Sequence, residues 1–462
     1  MASIAHWRRQ VKSELLTNPI IQKALSRAAI EGHCHRMGYR WRESFWSPTV
    51  TLVTFLLQVL DGAKTLRSAV ALLLNQLAAR GETELPSGDA SAYCQARKRL
   101  PDETVSRMVG HIAEHLSNLV ERATSWLGHR VWSVDGSSVS MPDTPELQKQ
   151  FPQPPGQKPG CGFPVAQVVV LFCWTTGAVV DLVIDTIRPN ELSLFRRMWH
   201  NFKAGDVVLA DRMYGSYVDL CRLKLRGVFG VFRLHQRRRA DFRQGRRLGP
   251  DDRLVTWSRP KRWLPSFGIS KEQFELLPET LPVRLVRITN APKGFRSRTI
   301  VVVTTLLDPI EVPADQIRQL YRDRWTAELN LRSLKTSLGM EILRGQSPDV
   351  VRKEIAMHLL AYNLIRLLMW HAAREHNRDL HRLSFTGTLH RLRATLPLLM
   401  FLHHRREQAR LLEYLLLSIA RDEVPDRPDR NEPRRKKRRP KPYSLLEKPR
   451  RWYRLHGDDD AR

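Results

Sequence analysis

Four side chains suited to handling a phosphodiester lie at helical spacing between residues 321 and 335. Tyr321, Arg324, Glu328 and Lys335, here called the stripe, are separated by three, four and seven residues. On an α-helix these intervals place all four on one face. A carboxylate there can coordinate a metal ion while the cations bind phosphate oxygens. The stripe indicates phosphoryl transfer on nucleic acid; the alternative is a solvated face with ordinary ion pairs.

Two aspartates at the ends of apolar strands can join Glu328. Residues 130–136 form a short β-branched run closing in an acidic residue and a glycine, so we expect a strand that delivers Asp135 at its end. Residues 207–211 form a second apolar strand that terminates in Asp211. Three converging carboxylates are what two divalent ions about 3.5 to 4 Å apart require. A single strand-end aspartate is more often a turn or cap residue, so the prediction depends on finding two such aspartates together with Glu328.

The donor set defines the expected cofactor. Because every ligand is a hard carboxylate oxygen, we expect two Mg²⁺ ions, with Mn²⁺ as a substitute. Other acids were considered for the third ligand. Asp323 lies about 140° around the helix from Glu328, and Glu341 and Glu354 follow Glu328 by 13 and 26 residues. Glu328 is therefore the preferred candidate.

Charge restricts the class of partner. The 462 residues include 76 Lys and Arg against 47 Asp and Glu, a formal charge of +29, which attracts a polyanion. Nucleic acid is the expected partner, because polar residues interrupt the two most apolar stretches (163–184 and 355–373), and neither is a credible membrane span. The five cysteines form no CxxC pair and the amino terminus shows no signal-peptide layout. We expect a cytoplasmic, nucleoid-associated protein without membrane contact.

The element pattern predicts a mixed α+β fold. Basic residues 1–128 look helical, which favours DNA binding over a dimerisation unit. After them the order is strand, hairpin, helix, strand, helix, strand, which predicts a mixed sheet flanked by helices. The expected parts are a helical DNA-binding domain (1–128), the first part of the core (129–234), a β-rich insertion (235–306), a core completion with the stripe helix (307–376), a helical region (377–424) and a basic, disordered tail (425–462).

Individual elements are predicted within these parts. The strands are expected at 165–174, 178–187, 228–234, 253–257, 283–288 and 299–306, and helices at 48–77, 102–119, 190–204, 216–227, 349–376 and 405–421.

The insertion holds two tryptophans that look exposed. Trp257 and Trp263 lie among arginines, prolines and glycines. Arginine mixed with tryptophan in a β segment suits phosphate contacts and base stacking, so both are candidate DNA-binding residues. The alternative is that each ring fills a small satellite core.

Through motifs that include these residues, the chain resembles the DDE transposases of the bacterial insertion-sequence type four family. The matching motifs are Val134-Asp135-Gly136, Ser140-Met141-Pro142-Asp143-Thr144-Pro145, Leu209-Ala210-Asp211-Arg212-Met213-Tyr214-Gly215-Ser216 and the stripe. The resemblance implies a ribonuclease H-like catalytic core with a β insertion between the second aspartate and the glutamate. It also leaves the role of Tyr214 open, and the family's base-stacking tryptophan has no obvious counterpart before Ile300.

The resemblance also implies roles. Asp135, Asp211 and Glu328 would be the catalytic metal ligands, Arg324 and Lys335 would hold DNA phosphates, and Tyr321 would contact the strand through its hydroxyl. The implied reaction is cut-and-paste transposition by two-metal phosphoryl transfer, with terminal inverted repeats and target DNA as substrates and a homodimer on DNA. The alternatives are an inactive, DNA-binding transposase relic that acts as a repressor, and a structure-specific nuclease on the same core.

Overall fold

The computed structural model describes residues 26–42, 44–79, 81–120, 125–188, 190–289, 299–402, 404–425 and 445–456. Its front part consists of helices α1 (Arg27–Arg36), α2 (Pro48–Leu60), α3 (Leu66–Ala79), α4 (Ser91–Arg99) and α5 (Asp102–Val120). The predicted cap is confirmed, because the Ser47 side chain accepts from the Val50 amide and Pro48 is the first residue of α2. The single apolar run predicted to reach Leu77 is divided into α2 and α3.

A mixed sheet follows. Its strands and the helices between them are β1 (Val131–Ser140), α6 (Pro145–Gln150), β2 (Val165–Cys173), β3 (Val179–Thr186), α7 (Glu191–Arg197), β4 (Val207–Ala210), α8 (Tyr217–Leu225), β5 (Phe229–Arg233), β6 (Arg246–Gly249), β7 (Asp252–Ser258), α9 (Lys271–Glu275), β8 (Thr280–Thr289) and β9 (Thr299–Thr304). Within the described residues the strand order is β3-β2-β1-β4-β5-β9-β8-β7-β6. Antiparallel β3, β2 and β1 are followed by β4 and β5, which are parallel to β1, so the predicted mixed α+β fold with a ribonuclease H-like core is confirmed.

One expectation about this sheet needs correction. The strand that carries Asp135 does not end there, because β1 continues to Ser140 through its antiparallel pairing with β2. The strands of the insertion belong to the same sheet. Strand β9 pairs with β5, and β8, β7 and β6 follow, so the β-rich segment extends the core sheet at one edge. Backbone hydrogen bonds to an otherwise open edge strand explain this continuity.

The carboxyl-terminal part is helical. It contains α10 (Ala314–Asp323), α11 (Trp325–Arg332), a π-helical turn (Ser333–Ser337), α12 (Pro348–Glu375), α13 (Phe385–Phe401), α14 (Arg405–Ala420) and α15 (Arg450–His456). The stripe was expected on one regular helix, and this is wrong. The Arg324 amide donates to the Tyr321 carbonyl at 3.3 Å, a tight turn that separates α10 from α11, and the π turn then widens the helix at Lys335.

The long helix α12 is buried along most of its length. Front-helix residues such as Leu52, Leu73 and Ile112 share one apolar cluster with Met357 and Leu364 of α12. An apolar helix surrounded by other helices and a sheet needs no lipid contact. No helix among the described residues is long and apolar enough to cross a membrane.

Part of the tail that was expected to be disordered is ordered. The Leu446 amide donates to the Cys161 carbonyl at 3.1 Å, and the Arg450 amide donates to the Gly160 carbonyl at 3.2 Å. Arg450 also forms an ion pair with Asp143. Residues 445–456 therefore dock on the loop after β1; the basic run at 434–439 lies outside the described residues.

Candidate active site

The register of two parallel strands brings the aspartates together. Val131 of β1 pairs with Val207 of β4, and Ser133 pairs with Leu209. Continued by two residues, this register aligns Asp135 of β1 with Asp211, which follows Ala210, the last residue of β4. Both aspartates therefore lie just past the last pair of the parallel strands.

The stripe covers the face that carries these aspartates. Val131, Val207 and Leu209 share a buried cluster with Leu320 and Tyr321 of α10. At the far end of the stripe, the Lys335 ammonium donates to the Ser137 hydroxyl of β1 at 2.7 Å. The helical segment that bears Tyr321, Arg324, Glu328 and Lys335 therefore lies across β1 above Asp135.

The charges around Asp135 are those of other acids and of Arg324. The Arg324 guanidinium donates to Glu328 Oε1 at 2.6 Å and is the cation between the acids. The pKa of Asp135 is raised to about 6, chiefly by burial and also by the nearby charges of Glu328 and Glu191, against the opposing effects of the Gly136 amide and Arg324. A carboxyl group whose ionised form is disfavoured in this way is poised to bind a cation.

This pKa predicts a stabilising substitution. Without divalent metal at pH 7, Asp135→Asn is expected to raise the free energy of unfolding by on the order of 1–2 kcal/mol, because it removes a charge that is costly in the folded state. The folded pKa lies above the ordinary 3.8. The folded wild type therefore binds the extra proton and loses stability as pH rises from about 4 to 6. Urea unfolding at several pH values checks this, and an advantage of the variant that shrinks over this interval would contradict it.

The donor chemistry of the three acids fits a hard divalent ion. Asp135, Asp211 and Glu328 offer only carboxylate oxygens, the ligands that Mg²⁺ prefers. In this conformation Glu328 bonds to Arg324. Within the described ranges, no group of three or more His, Cys, Asp or Glu side chains is positioned to hold a metal ion.

The rival acids have other contacts. Glu354 Oε2 accepts from the Arg344 amide at 2.9 Å and from the Gly345 amide at 2.7 Å, and Oε1 accepts from the Arg344 amide at 3.1 Å, so this buried residue fixes the turn before α12. Glu341 lies 3.8 Å from the Lys335 ammonium. These contacts leave Glu328 as the acid of the stripe that faces the aspartates.

The insertion tryptophans are less accessible than expected. Trp257 is only 9% exposed, packs in the core on the α7 side of the sheet, and is covered by the Arg238 guanidinium at 3.8 Å from the ring centre. The expectation of exposure is wrong for Trp257, because β7 pairs with β8 and turns this ring inward. Half-buried Trp263 donates its indole N–H to the Ile269 carbonyl at 2.9 Å. Their roles in DNA binding remain predictions.

Trp263 also lines an open cavity of about 760 Å³. The cations around that cavity are Arg259, Lys261, Arg262 and Lys271. The three Arg259 bonds to the carbonyls of Phe274, Glu275 and Leu277 show that part of this charge is structural.

Sequence reasoning missed one acidic residue near the site. Glu191 is the first residue of α7, and the Tyr214 hydroxyl donates to its Oε2 at 3.3 Å. Burial, together with Glu191, Asp135 and Asp211, raises the pKa of Tyr214 well above its usual value, so the phenol stays protonated and can donate. An acid in the first turn of a helix is common, and no sequence signal distinguishes Glu191.

Comparison with known proteins agrees with the motifs. Residues 126–364 match the family model described as "Transposase DDE domain". The chain is 26% identical over 302 residues to "Transposase InsG for insertion sequence element IS4" of Escherichia coli (strain K12); the match covers 64% of this chain and 65% of that protein's length. The structure resembles that of the piggyBac transposase synaptic complex with hairpin DNA, at a TM-score of 0.41 and 9% identity, over 91% of this chain and 87% of the other. The family match covers more than half of the chain and confirms the resemblance stated above: the chain belongs to the DDE transposases.

Proposed function

We propose that this protein is a DNA transposase that cleaves the ends of an insertion sequence and joins them to target DNA. The observation that supports the proposal is the β1–β4 register, which pairs Ser133 with Leu209, two residues before Asp135 and Asp211, in a chain of the DDE family. Phosphoryl transfer needs positioning and charge stabilisation more than covalent chemistry from the protein. Two acids on paired strands supply a rigid base for that positioning.

Asp135, Asp211 and Glu328 would hold two Mg²⁺ ions, with Mn²⁺ as a substitute. When bound, these ions supply activation of the attacking water or 3′-hydroxyl and stabilisation of the leaving oxygen. In this role Glu328 would turn from Arg324 towards the ions. The Arg324 guanidinium, which is 14% exposed in the ion pair, could then bind a DNA phosphate through two hydrogen bonds.

Lys335 and Tyr321 are the other two residues of the stripe. Lys335 is buried and donates to Ser137 of β1, and in this proposal it binds a phosphate of the cut strand. Burial, followed by the charge of Asp211, raises the pKa of Tyr321 to about 12, which Arg324 and Arg233 oppose. The phenol is therefore neutral at physiological pH, and its buried hydroxyl would have to become accessible before it could donate a hydrogen bond to a phosphate.

The formal charge of +29 suits double-stranded DNA, both as terminal inverted repeats and as target. Because two transposon ends must be held together, we expect a homodimer on DNA. Light scattering of the complex with cleaved ends should give two protein chains for each pair of ends. A single chain that cleaves one end and joins it without a partner would contradict this expectation.

The deciding experiment incubates purified protein with Mg²⁺ and a DNA that carries the terminal repeats flanking its gene. Cleavage at the repeats followed by joining to a second DNA supports a transposase. Cleavage without joining supports a structure-specific nuclease on the same core. Binding without metal-dependent cleavage supports an inactive relic that occupies the element's ends as a repressor. This result would exclude both enzymatic functions.

A further inference from the structure

We propose that Glu191 supplies a fourth carboxylate to this metal site and reaches it from the opposite face of the sheet. The inference rests on the proposed function, since it concerns the same ions. Three observations carry it: the space that Gly136 leaves, the hydrogen bond from Tyr214, and the absence of a helix-capping role for the Glu191 side chain.

Gly136 makes room for the Glu191 carboxylate. A Cβ atom on Gly136 would lie 2.6 Å from Glu191 Cδ and 2.8 Å from each carboxylate oxygen, closer than real Cβ contacts allow. Gly136 has no positive φ, so its backbone conformation does not require glycine. What the position requires is space. The carboxylate therefore lies against the backbone immediately next to Asp135.

Tyr214 holds the carboxylate in this place. Its hydroxyl donates to Glu191 Oε2 at 3.3 Å, and its amide donates to the Asp211 carbonyl at 3.2 Å. The ring of Tyr214 is buried edge-on against Phe195 of α7, with the ring centres 5.2 Å apart. Tyr214 thus connects Glu191 to the turn that carries Asp211, a role that the sequence left open.

The amino-terminal end of α7 has its capping hydrogen bond without the Glu191 side chain. The Asn190 side chain already accepts from the Ser193 amide at 2.9 Å. An acid in the first turn also gains from the helix dipole, but this gain does not require it to point at β1. No ion pair to Glu191 occurs in the part of the chain that the structure describes. Its charge remains available to a cation.

The two faces of β1 explain how four acids can surround one space. Asp135 points to the face covered by α10 and α11, and Gly136 points to the face covered by α7. Beyond the last pair with β4, the edge of β1 on that side is open, while β2 still covers the other edge. Carboxylates from both sides can meet there, and the added negative charge favours a second divalent ion.

The test is Mn²⁺ binding to metal-free, DNA-free protein, followed by titration calorimetry. Glu191→Gln is expected to weaken Mn²⁺ binding by about tenfold or more, in the range found when a group next to a metal site is removed. Glu146→Gln is the matched control, because Glu146 is an exposed acid in the first turn of α6. Wild-type Mn²⁺ affinity in Glu191→Gln would overturn the inference. The proposed function is judged separately, by whether cleavage depends on Glu328.

A second pair of variants tests the contact itself. Gly136→Ala is expected to weaken Mn²⁺ binding in the wild type by displacing Glu191, and to cause no further loss in a Glu191→Ala background, where nothing occupies the space. Equal losses in both backgrounds would mean that the methyl group acts elsewhere and would overturn the inference. Circular dichroism of each variant confirms that the fold is retained.

Discussion

Glu328→Gln is expected to reduce both DNA cleavage and strand joining by about a thousandfold or more, with DNA binding retained. Loss of a metal ligand removes several kcal/mol of transition-state stabilisation, and about 4 kcal/mol corresponds to about a thousandfold in rate. Glutamine keeps the size of the side chain and can still accept from Arg324, so the fold is preserved. Rates of end cleavage and of joining, measured in Mg²⁺ on terminal-repeat DNA, provide the check.

Glu103→Gln is the control for this experiment. Glu103 and Arg107 form the same i,i+4 ion pair at 2.8 Å on an exposed face of α5. Its removal should change neither rate, because an exposed pair of this kind contributes at most about 1 kcal/mol to stability. Near-normal cleavage by Glu328→Gln would contradict the assignment. A loss of DNA binding as large as the loss of cleavage would instead point to a structural role.

Arg284→Ala is expected to lower the free energy of unfolding by about 3–5 kcal/mol, the usual cost of breaking a buried ion pair. Arg284 is fully buried and donates two bonds to Asp252, at 2.9 and 2.6 Å. Alanine leaves the Asp252 carboxylate buried without its cation. Urea unfolding monitored by tryptophan fluorescence measures the change.

Arg287→Ala provides the comparison on the same strand. Arg287 pairs with Asp251 at 3.0 Å, but both side chains are about one third exposed, 33% and 34%. Water screens this pair, so its loss should cost at most about 1 kcal/mol. Equal costs for the two variants would show that burial of the Arg284 pair does not determine its contribution.

The same arginine links the insertion to the stripe. Arg284 also donates to the carbonyls of Asp308 and Val312, in the segment that leads into α10. Because α10 positions Tyr321 and Arg324, we expect Arg284→Ala to slow cleavage as well as to destabilise the fold. The insertion therefore supports the site mechanically, whatever its own contacts with DNA.

Local signals in the sequence were sufficient for many elements. Ser47-Pro48 starts α2, Asn190 caps α7, and the hairpin of β2 and β3 forms around the predicted turn. These features depend on residues only a few positions apart, which is why propensity and spacing predict them. The ends of strands and helices were predicted less accurately, since β1 continues past Asp135 by pairing with β2.

These local signals did not predict contacts between segments that are distant in the sequence. The pairing of β9 with β5 and the inward turn of Trp257 depend on which segments meet in space. The change from a tight turn at Arg324 to a π turn at Lys335 likewise depends on how α10 and α11 pack on the sheet.

Residue types and short-range spacing can be read directly in the sequence, and they suffice to predict two aspartates after apolar strands, a stripe with a glutamate and a strongly basic chain. The alignment of Asp135 with Asp211 and the contact of Glu191 with Gly136 appear only in the folded chain. Strand register and packing set these relations between residues far apart in the chain, and no local pattern records them.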